Sequence, residues 1–294
     1  MKLTADYTRV RPERTRLDAE GNFVLRKPLP QKWWIYADKR PKIYSTIARF
    51  DRVLVTPRVS KYVSFVFVPR RQVFMDKVIV IAHQSFSAFA VLQSNLHTYW
   101  ASRYSSTLGS STINYSPSDC FLSFPFPANE ALDHELERIG QAYHERRQSL
   151  MLLLWLGLTD IYNLFHARDL TPAMVGKVSK KSADEATRGY EGLQELRRLH
   201  VQLDLGIRDA YGWHNLPLEH DFHQVDTLPE NDRIRYTISP AARKEVLRRL
   251  LKLNHERAAE EEAKRKAAPK PARGKRGEKA LSSDAQPGLS FDES

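Results

Sequence analysis

The stretch Gln84–Tyr104, QSFSAFAVLQSNLHTYWASRY, decides the fold because the spacing of its apolar residues differs from that of the sequence before it. Its aromatic and aliphatic residues recur every three or four positions, which places them along one face of a helix. We therefore predict a single amphipathic helix over this stretch. A helical period that follows strand-like runs favours a fold of the α+β class.

Three runs before this helix predict β-strands: Arg52–Thr56, Tyr62–Val68 and Val78–Ile81. They are rich in β-branched and aromatic residues, which fit the pleated surface of a sheet. Pro57 and Pro69 end two of the runs, and basic residues follow each proline. After the helix, the polar residues 105–114 predict a loop that is too long for a simple turn.

The sequence beyond residue 128 has a mostly helical pattern. The predicted helices are Glu130–Gly157, capped by Asn129; Leu158–His166; Ala183–Tyr211, ended by Gly212; and a last helix that opens at Ser239 and Pro240. Asn and Ser accept hydrogen bonds from the free N–H groups of a first turn, and Gly suits the residue after a helix. Residues 167–182 are predicted to form a polar connection.

The chain carries 46 Lys and Arg against 35 Asp and Glu, and the whole excess lies in its first part. Residues 1–127 hold 19 basic and 8 acidic side chains, whereas residues 128–255 hold 18 basic and 19 acidic ones. A basic, aromatic segment beside a neutral one favours a surface for a polyanion. A basic domain without such a partner fits the charge alone equally well.

These patterns divide the chain into three parts. We predict a strand-rich basic domain over residues 1–127, which could lack its beginning, and a mostly helical C-terminal domain over residues 128–258. Residues 259–294 consist largely of Ala, Lys, Glu, Pro and Gly, a composition that predicts a disordered charged tail. The predicted fold class is thus α+β with a disordered tail.

Composition excludes several classes of protein. A single cysteine, Cys120, excludes a disulfide framework and a multi-cysteine metal centre, and we expect it to be a small buried residue. The charged N-terminus lacks the apolar run of a secretory signal, and the longest apolar run, Leu150–Leu156, is too short to span a bilayer. We therefore expect a soluble, cytoplasmic protein without a membrane partner.

No catalytic motif is visible in the sequence. It has no glycine-rich phosphate loop, no G-x-S-x-G elbow, no N/D-P-P-Y/F tetrad of amino-group DNA methyltransferases and no acidic nuclease set followed by E-x-K. His214, His220, Asp221 and His223 could bind zinc or manganese, but a polar loop with local hydrogen bonds is the preferred interpretation. We assign no catalytic residue, metal ligand or cofactor to this chain.

The candidate binding residues are polar and basic side chains of the first domain. One group follows the predicted helix and comprises Arg103, Ser105, Ser106, Thr107, Ser110, Ser111, Thr112 and Asn114. Hydroxyls suit phosphate oxygens, Arg favours guanine and Asn favours adenine. A second group at strand ends, Arg58, Lys61, Arg70 and Arg71, suits phosphate contacts. The alternatives are a flexible Ser-rich surface loop for the first group and solvated protection of sheet edges for the second.

A family resemblance adds to this reading. The runs Leu92–Trp100, Ser106–Gly109, Tyr115–Phe121 and Phe124–Pro127 resemble the end of a target recognition domain in single-chain restriction–modification enzymes of the Eco57I and MmeI type. Upstream, residues 33–41 and 52–61 are similar to preceding strands of that family. Downstream, similar runs include Gly157–His166, Leu196–His200, Asp209–Trp213, Asp221–His223 and Arg248–Asn254.

The resemblance implies DNA recognition without catalysis by this chain. In that family an adenine-N6 DNA methyltransferase precedes the recognition domain, binds S-adenosylmethionine and is often joined to a nuclease. Its motifs are absent here, so we expect a C-terminal piece or a separate specificity partner that binds double-stranded DNA in restriction–modification or phage defence. The alternatives are an active adenine-specific methyltransferase or endonuclease, and an RNA-binding protein, which lacks supporting motifs.

Overall fold

The β-branched runs of the first half form two small antiparallel sheets. The computed structural model describes residues 40–108, 112–128 and 134–267, and its strands are β1 (Arg52–Pro57), β2 (Val59–Ser60), β3 (Val66–Pro69), β4 (Val78–Ile81), β5 (Ser106–Leu108), β6 (Thr112–Asn114), β7 (Asp221–Gln224) and β8 (Ile234–Thr237). The sheet orders are β3-β1-β4 and β2-β6-β5, and β7 pairs with β8. The strands predicted at Arg52 and Val78 are confirmed.

The predicted strand Tyr62–Val68 is shorter in the structure, because only Val66–Pro69 is extended and paired. The backbone groups of Phe65 bond to side chains instead of a neighbouring strand. Its N–H donates to Gln93 Oε1 at 3.1 Å, and its carbonyl accepts from the Arg147 guanidinium. Side chains from two helices thus take the hydrogen bonds that a sheet ladder would have used.

The helix predicted over Gln84–Tyr104 is two helices, α2 (Phe86–Gln93) and α3 (Asn95–Tyr104), so the prediction of one helix is wrong. Ser94 between them has an extended backbone, with φ −65° and ψ 156°, and its Oγ accepts a hydrogen bond from His97 N. A serine side chain that caps a first turn favours starting a helix over continuing one. The break leaves the N-terminus of α3 inside the protein.

The remaining helices follow the predicted order, and two helices that were not predicted are added. They are α1 (Pro41–Ile47), α4 (His134–Leu154), α5 (Leu158–Phe165), α6 (Pro172–Ser179), α7 (Ala183–Ala210) and α8 (Pro240–Ala267), with a π-helical turn at Pro117–Phe121 and a 3-10 turn at Glu230–Asp232. Helix α4 ends at Leu154, before the predicted end at Gly157. The predicted cap Asn129 lies outside the described residues. Helix α6 lies in the predicted polar connection, where Thr171 Oγ1 caps it.

The last helix continues past the predicted start of the disordered tail. Helix α8 ends at Ala267, so residues 259–267 are helical, and the rest of the predicted tail lies outside the described residues. Ala, Glu, Lys and Arg form helices readily, and the ion pair between Lys266 and Glu262, at 2.8 Å, joins one turn to the next. No helix within the described ranges is long and apolar enough to cross a membrane.

The chain divides into a unit at residues 1–49, of which the structure describes 40–49, and a unit at residues 50–294. Within the second unit, one apolar core continues across the predicted domain border at residues 127 and 128. It contains Leu54 and Phe89 from the first side and Leu150, Leu196 and Leu250 from the second. The predicted α+β class is confirmed, whereas the three-part division stays a prediction.

Arg147 of α4 is a buried link between the two sides of this core. Its side chain is fully enclosed, and the guanidinium donates to Gln93 Oε1 at 2.8 Å, to the Tyr162 hydroxyl at 2.9 Å and to the Phe65 carbonyl. It also lies over the Phe89 ring at 5.3 Å. The buried cation is thus bound by uncharged oxygens and an aromatic face.

Asp204 of α7 is a second buried link, and it accepts bonds from the start of α3. Its carboxylate is fully buried and accepts from Asn95 N at 2.7 Å and from Asn95 Nδ2 at 2.6 Å. His220 Nε2 lies 2.7 Å from the same carboxylate. Burial raises the pKa of Asp204, but the neighbouring imidazoles and these hydrogen bonds outweigh burial and lower the pKa overall. A carboxylate at a helix N-terminus is also favoured by the helix dipole.

We predict that Arg147→Ala lowers the free energy of unfolding by about 3 kcal/mol, because it leaves the Phe65 carbonyl without its donor and opens a cavity. Urea unfolding followed by circular dichroism measures this change. Arg146→Ala is the matched control, since Arg146 is the exposed neighbour on the same helix and should change stability by less than about 0.5 kcal/mol. Equal stability of the two variants would show that the buried link is unimportant.

We predict that Asp204→Asn lowers the free energy of unfolding at pH 7 by about 2 kcal/mol, because an amide offers one acceptor oxygen where several donors converge. The lowered pKa of Asp204 means that the carboxylate stabilises the fold above the unfolded pKa of about 4 and that this contribution is lost as pH falls through the folded pKa. The difference between wild type and variant should therefore shrink in acid. Glu191→Gln, an exposed change on the same helix, is the control; a loss as small as the control's would contradict the prediction.

Candidate nucleic-acid interface

The sheet β2-β6-β5 gathers several of the predicted binding residues on one surface. Asn114 pairs with Val59 on one side and with Ser106 on the other, and Thr112 pairs with Leu108. Directly opposed residues share a face of a sheet, and alternate residues along a strand do so as well. We call the surface formed by Val59, Ser106, Thr112 and Asn114 the outer face; Val59 and Ser106 are exposed.

Hydrogen bonds fix the position of the outer face. Helix α3 ends where Ser105 N donates to Ala101 O at 2.8 Å, and the Ser105 hydroxyl lies 2.8 Å from the sulfur of Cys120. Asn114 Nδ2 donates to Ser106 Oγ at 3.0 Å. Cys120 is buried, as predicted, and burial raises the pKa of its thiol. The polar stretch predicted to be a loop is thus a short pair of strands anchored to a helix and a buried residue.

Two predicted arginines lie beside the outer face. Tyr115 N donates to the Arg58 carbonyl at 2.7 Å, which holds Arg58 next to the end of β6. The exposed Arg58 side chain donates from Nε to the Asp76 carbonyl at 3.2 Å. Arg103 is exposed in the last turn of α3, and it has no hydrogen bond or ion pair within the part of the chain that the structure describes. Both guanidinium groups therefore have N–H donors available for a ligand.

Thr107 and Lys61 have different surroundings from those two arginines. Thr107 pairs with Ile113, so both lie on the opposite side of the sheet, which we call the inner face. Lys61 Nζ makes an ion pair with Asp232 at 2.8 Å and donates to Asn163 Oδ1 at 3.1 Å. Thr107 and Lys61 are therefore neighbours of the outer-face residues in the sequence, but neither lies on the outer face.

The structure places Arg70 and Arg71 far from the outer face. They follow β3, whose Pro69 pairs with Arg52 at the start of β1, whereas Arg58 follows the end of β1. A strand of six residues spans about 20 Å, so the two arginine groups lie at opposite ends of it. Ser110 and Ser111 lie outside the described residues. The roles of all these residues stay predictions.

The histidines considered for metal binding have separate partners. His214 Nδ1 lies 3.0 Å from Asp209 Oδ1, His220 bonds to Asp204, and His223 Nε2 lies 2.8 Å from the Glu219 carbonyl. The described residues contain no group of three His, Cys, Asp or Glu side chains that could hold a metal ion. The segment differs from the predicted polar loop, because Asp221 and His223 lie in β7 and His220 bonds to Asp204 of α7 rather than to a local partner.

The sequence did not reveal the strand that completes the outer face. β2 is only two residues long, and it reaches β6 through a pairing of residues more than fifty positions apart. Periodicity cannot detect a strand of that length. The only local signal is Pro57, which ends β1 and allows the chain to enter a second sheet.

Comparisons with known proteins bear on the same region. Residues 34–128 match the family described as MmeI, target recognition domain. A solved structure described as the type IIL restriction-modification enzyme MmeI in complex with DNA matches 72% of this chain, with 17% identity and a TM-score of 0.41. The match covers 24% of that enzyme's chain, so this chain spans about a quarter of its length. A search of curated proteins gave no match.

The matched segment contains β1 to β6, α2 and α3, and thus the whole outer face. The resemblance to restriction–modification enzymes of the MmeI type is confirmed over these residues. The family that residues 34–128 of the chain resemble is therefore the MmeI target recognition domain.

Proposed function

We propose that this chain is a DNA sequence-recognition module of a restriction–modification or phage-defence system, and that the outer face contacts the DNA. The observation that carries the proposal is the match of residues 34–128 to a target recognition domain, because that segment contains the outer face. The catalytic partner would be an adenine-N6 DNA methyltransferase that binds S-adenosylmethionine, with or without a nuclease. The complex would act in the cytoplasm.

The side chains of the outer face suit contacts with bases. Asn114 and the nearby Arg103 are the residue types that bond to adenine and guanine edges through two hydrogen bonds. Their hydroxyl neighbours, Ser106 and Thr112, can bond to a base or to a phosphate oxygen. Since a sheet holds these groups in a fixed order, they can read several neighbouring base pairs.

Affinity for any duplex would come mainly from the basic side chains. Arg58 beside the outer face offers a guanidinium that can bond to a phosphate in two places. Each neutralised phosphate releases bound counterions from DNA, so binding weakens steeply as salt rises. Positive charge alone makes binding depend on salt for every DNA sequence. Contacts with the bases must therefore be tested separately.

We predict that Arg58→Ala weakens binding to a pool of random duplexes by roughly ten-fold, about 1.4 kcal/mol. The variant should also lower the slope of the logarithm of the binding constant against the logarithm of salt concentration by about one, because one phosphate contact is lost. Gel shifts over a series of salt concentrations measure both quantities. Arg146→Ala is the matched control, because it removes the same charge from an exposed position on α4, outside the matched residues 34–128. We expect it to change binding by much less.

Two results would contradict the proposal. The first is wild-type binding no tighter than that of an unrelated protein with the same net charge. The second, which concerns only the outer face, is an equal loss of affinity in Arg58→Ala and Arg146→Ala. Circular dichroism should show that both variants keep the wild-type helix content, so that any difference reports on contacts with DNA.

A further inference from the structure

A cleft of about 170 Å³ lies behind the outer face. The inner-face residues Thr107 and Ile113 line one side of it, and residues of α3, α5 and the β7–β8 hairpin line the others. This volume is below the ~300 Å³ of pockets that enclose drug-sized ligands, so it suits one planar ring system, with any group attached to that ring held at the rim. None of the contacts proposed above for DNA on the outer face uses this cleft.

The walls of the cleft carry a group of stacked aromatic rings. Tyr62 stacks on His166 with 5.4 Å between ring centroids and 23° between planes, and Tyr162 lies 5.4 Å from Tyr62. Burial, followed by nearby positive charges, lowers the pKa of His166 well below its usual value, so its ring is neutral at pH 7. Neutral aromatic walls of this kind favour a planar ring that can stack against them.

Three polar atoms of residues that line the cleft lack partners within the described ranges. Gln93 is almost fully buried, and its Oε1 is taken by Phe65 N and Arg147, which leaves its Nε2 as a free donor. The Nδ1 atoms of His166 and His200 are buried and have no hydrogen bond. Buried polar groups without partners are costly, and a ligand in the cleft with a ring nitrogen or a carbonyl group would accept a hydrogen bond from Gln93.

The rim of the cleft carries a net positive charge. Lys61 and Arg235 both line it, and both lie near Asp232, at 2.8 Å and 3.5 Å. Two cations therefore share one carboxylate. Arg235 also donates to the Tyr62 hydroxyl at 2.5 Å, so the aromatic wall and the charged rim are joined. Such a rim favours an anionic group such as a phosphate beside the stacked ring.

We propose that this cleft binds one nucleotide, with its base packed against the aromatic wall and its phosphate at Lys61 and Arg235. The hydrogen-bond donor of Gln93 would bond to a ring nitrogen or carbonyl oxygen of the base. The nucleotide can be free in solution or can be turned out of a DNA strand. The inference does not depend on the proposed duplex recognition, because a free nucleotide would occupy the cleft in either case.

The first arm of the test uses free ligands. Calorimetric titration of the full chain with dAMP, dGMP, dCMP and dTMP measures binding, and ribose 5-phosphate supplies the phosphate without the base. We expect at least one nucleotide to bind at least ten-fold more tightly than ribose 5-phosphate. The second arm uses a short duplex with one unpaired 2-aminopurine, whose fluorescence reports whether the base has entered an aromatic site.

Two variants block the cleft from different elements without touching its buried groups. Thr107 and Thr227 are exposed residues that line it, so Thr107→Trp and Thr227→Trp should each weaken nucleotide or bulged-base binding at least ten-fold. Val73→Trp, which adds an exposed tryptophan away from the cleft, is the control and should bind as wild type does. If free nucleotides bind, the cleft takes its ligand from solution. If only the duplex with the unpaired 2-aminopurine gives a response, the cleft takes a base from DNA.

The proposal is overturned if no nucleotide binds and the bulged base gives no fluorescence change. It is also overturned if ribose 5-phosphate binds as tightly as the nucleotides, or if both blocking variants bind as wild type does. Gel shifts with an ordinary duplex, run alongside, report on the outer face alone. Failure of the cleft proposal and failure of duplex recognition therefore give different results.

Discussion

The carboxylate of Asp204 is the interaction on which the arrangement of the candidate interface depends. It lies fully buried on the long helix α7, and it accepts two hydrogen bonds from Asn95, the first residue of α3. A buried charge is tolerated only where donors surround it. The start of α3 supplies those donors because the chain interrupts its helix at Ser94.

The consequences of this contact extend along α3 to the outer face. The helix is held by Asp204 at its first residue, and only Ser105 separates its end at Tyr104 from the start of β5 at Ser106. Thr237 of β8 donates to Asn95 Oδ1 at 3.0 Å, which adds the β7–β8 hairpin to the same network. The outer face, the cleft behind it and the helical part of the chain thus share one buried set of hydrogen bonds.

Sequence patterns were sufficient to predict the strands and helices whose stabilising contacts lie within a few residues of the chain. The strands at Arg52 and Val78 and the helix at Ala183 carry their period and their caps within a few residues, including the reciprocal bonds of Ser182 and Glu185. The break at Ser94 could not be predicted in this way. Its benefit comes from Asp204, which lies 109 residues from Asn95 in the sequence, and the helical spacing continues through the break.

The candidate site shows the same division between local and distant causes. The residue types of the polar stretch indicated hydrogen bonding to DNA, and Asn114 and Ser106 do lie together on one face. The sequence could not separate Thr107 from its neighbours, because the side of a sheet that a residue occupies depends on pairing with β6. Nor could it show that Lys61 is paired with Asp232, whose position is set by a turn 171 residues away.

The most direct test of the central claim, that the outer face reads DNA sequence, is repeated selection of bound duplexes from a random pool. Wild type should enrich one short sequence, and Asn114→Ala should relax the preference at one position of it while leaving the others unchanged. Retention of DNA with no base enriched at any position, in wild type as in the variant, would contradict the claim.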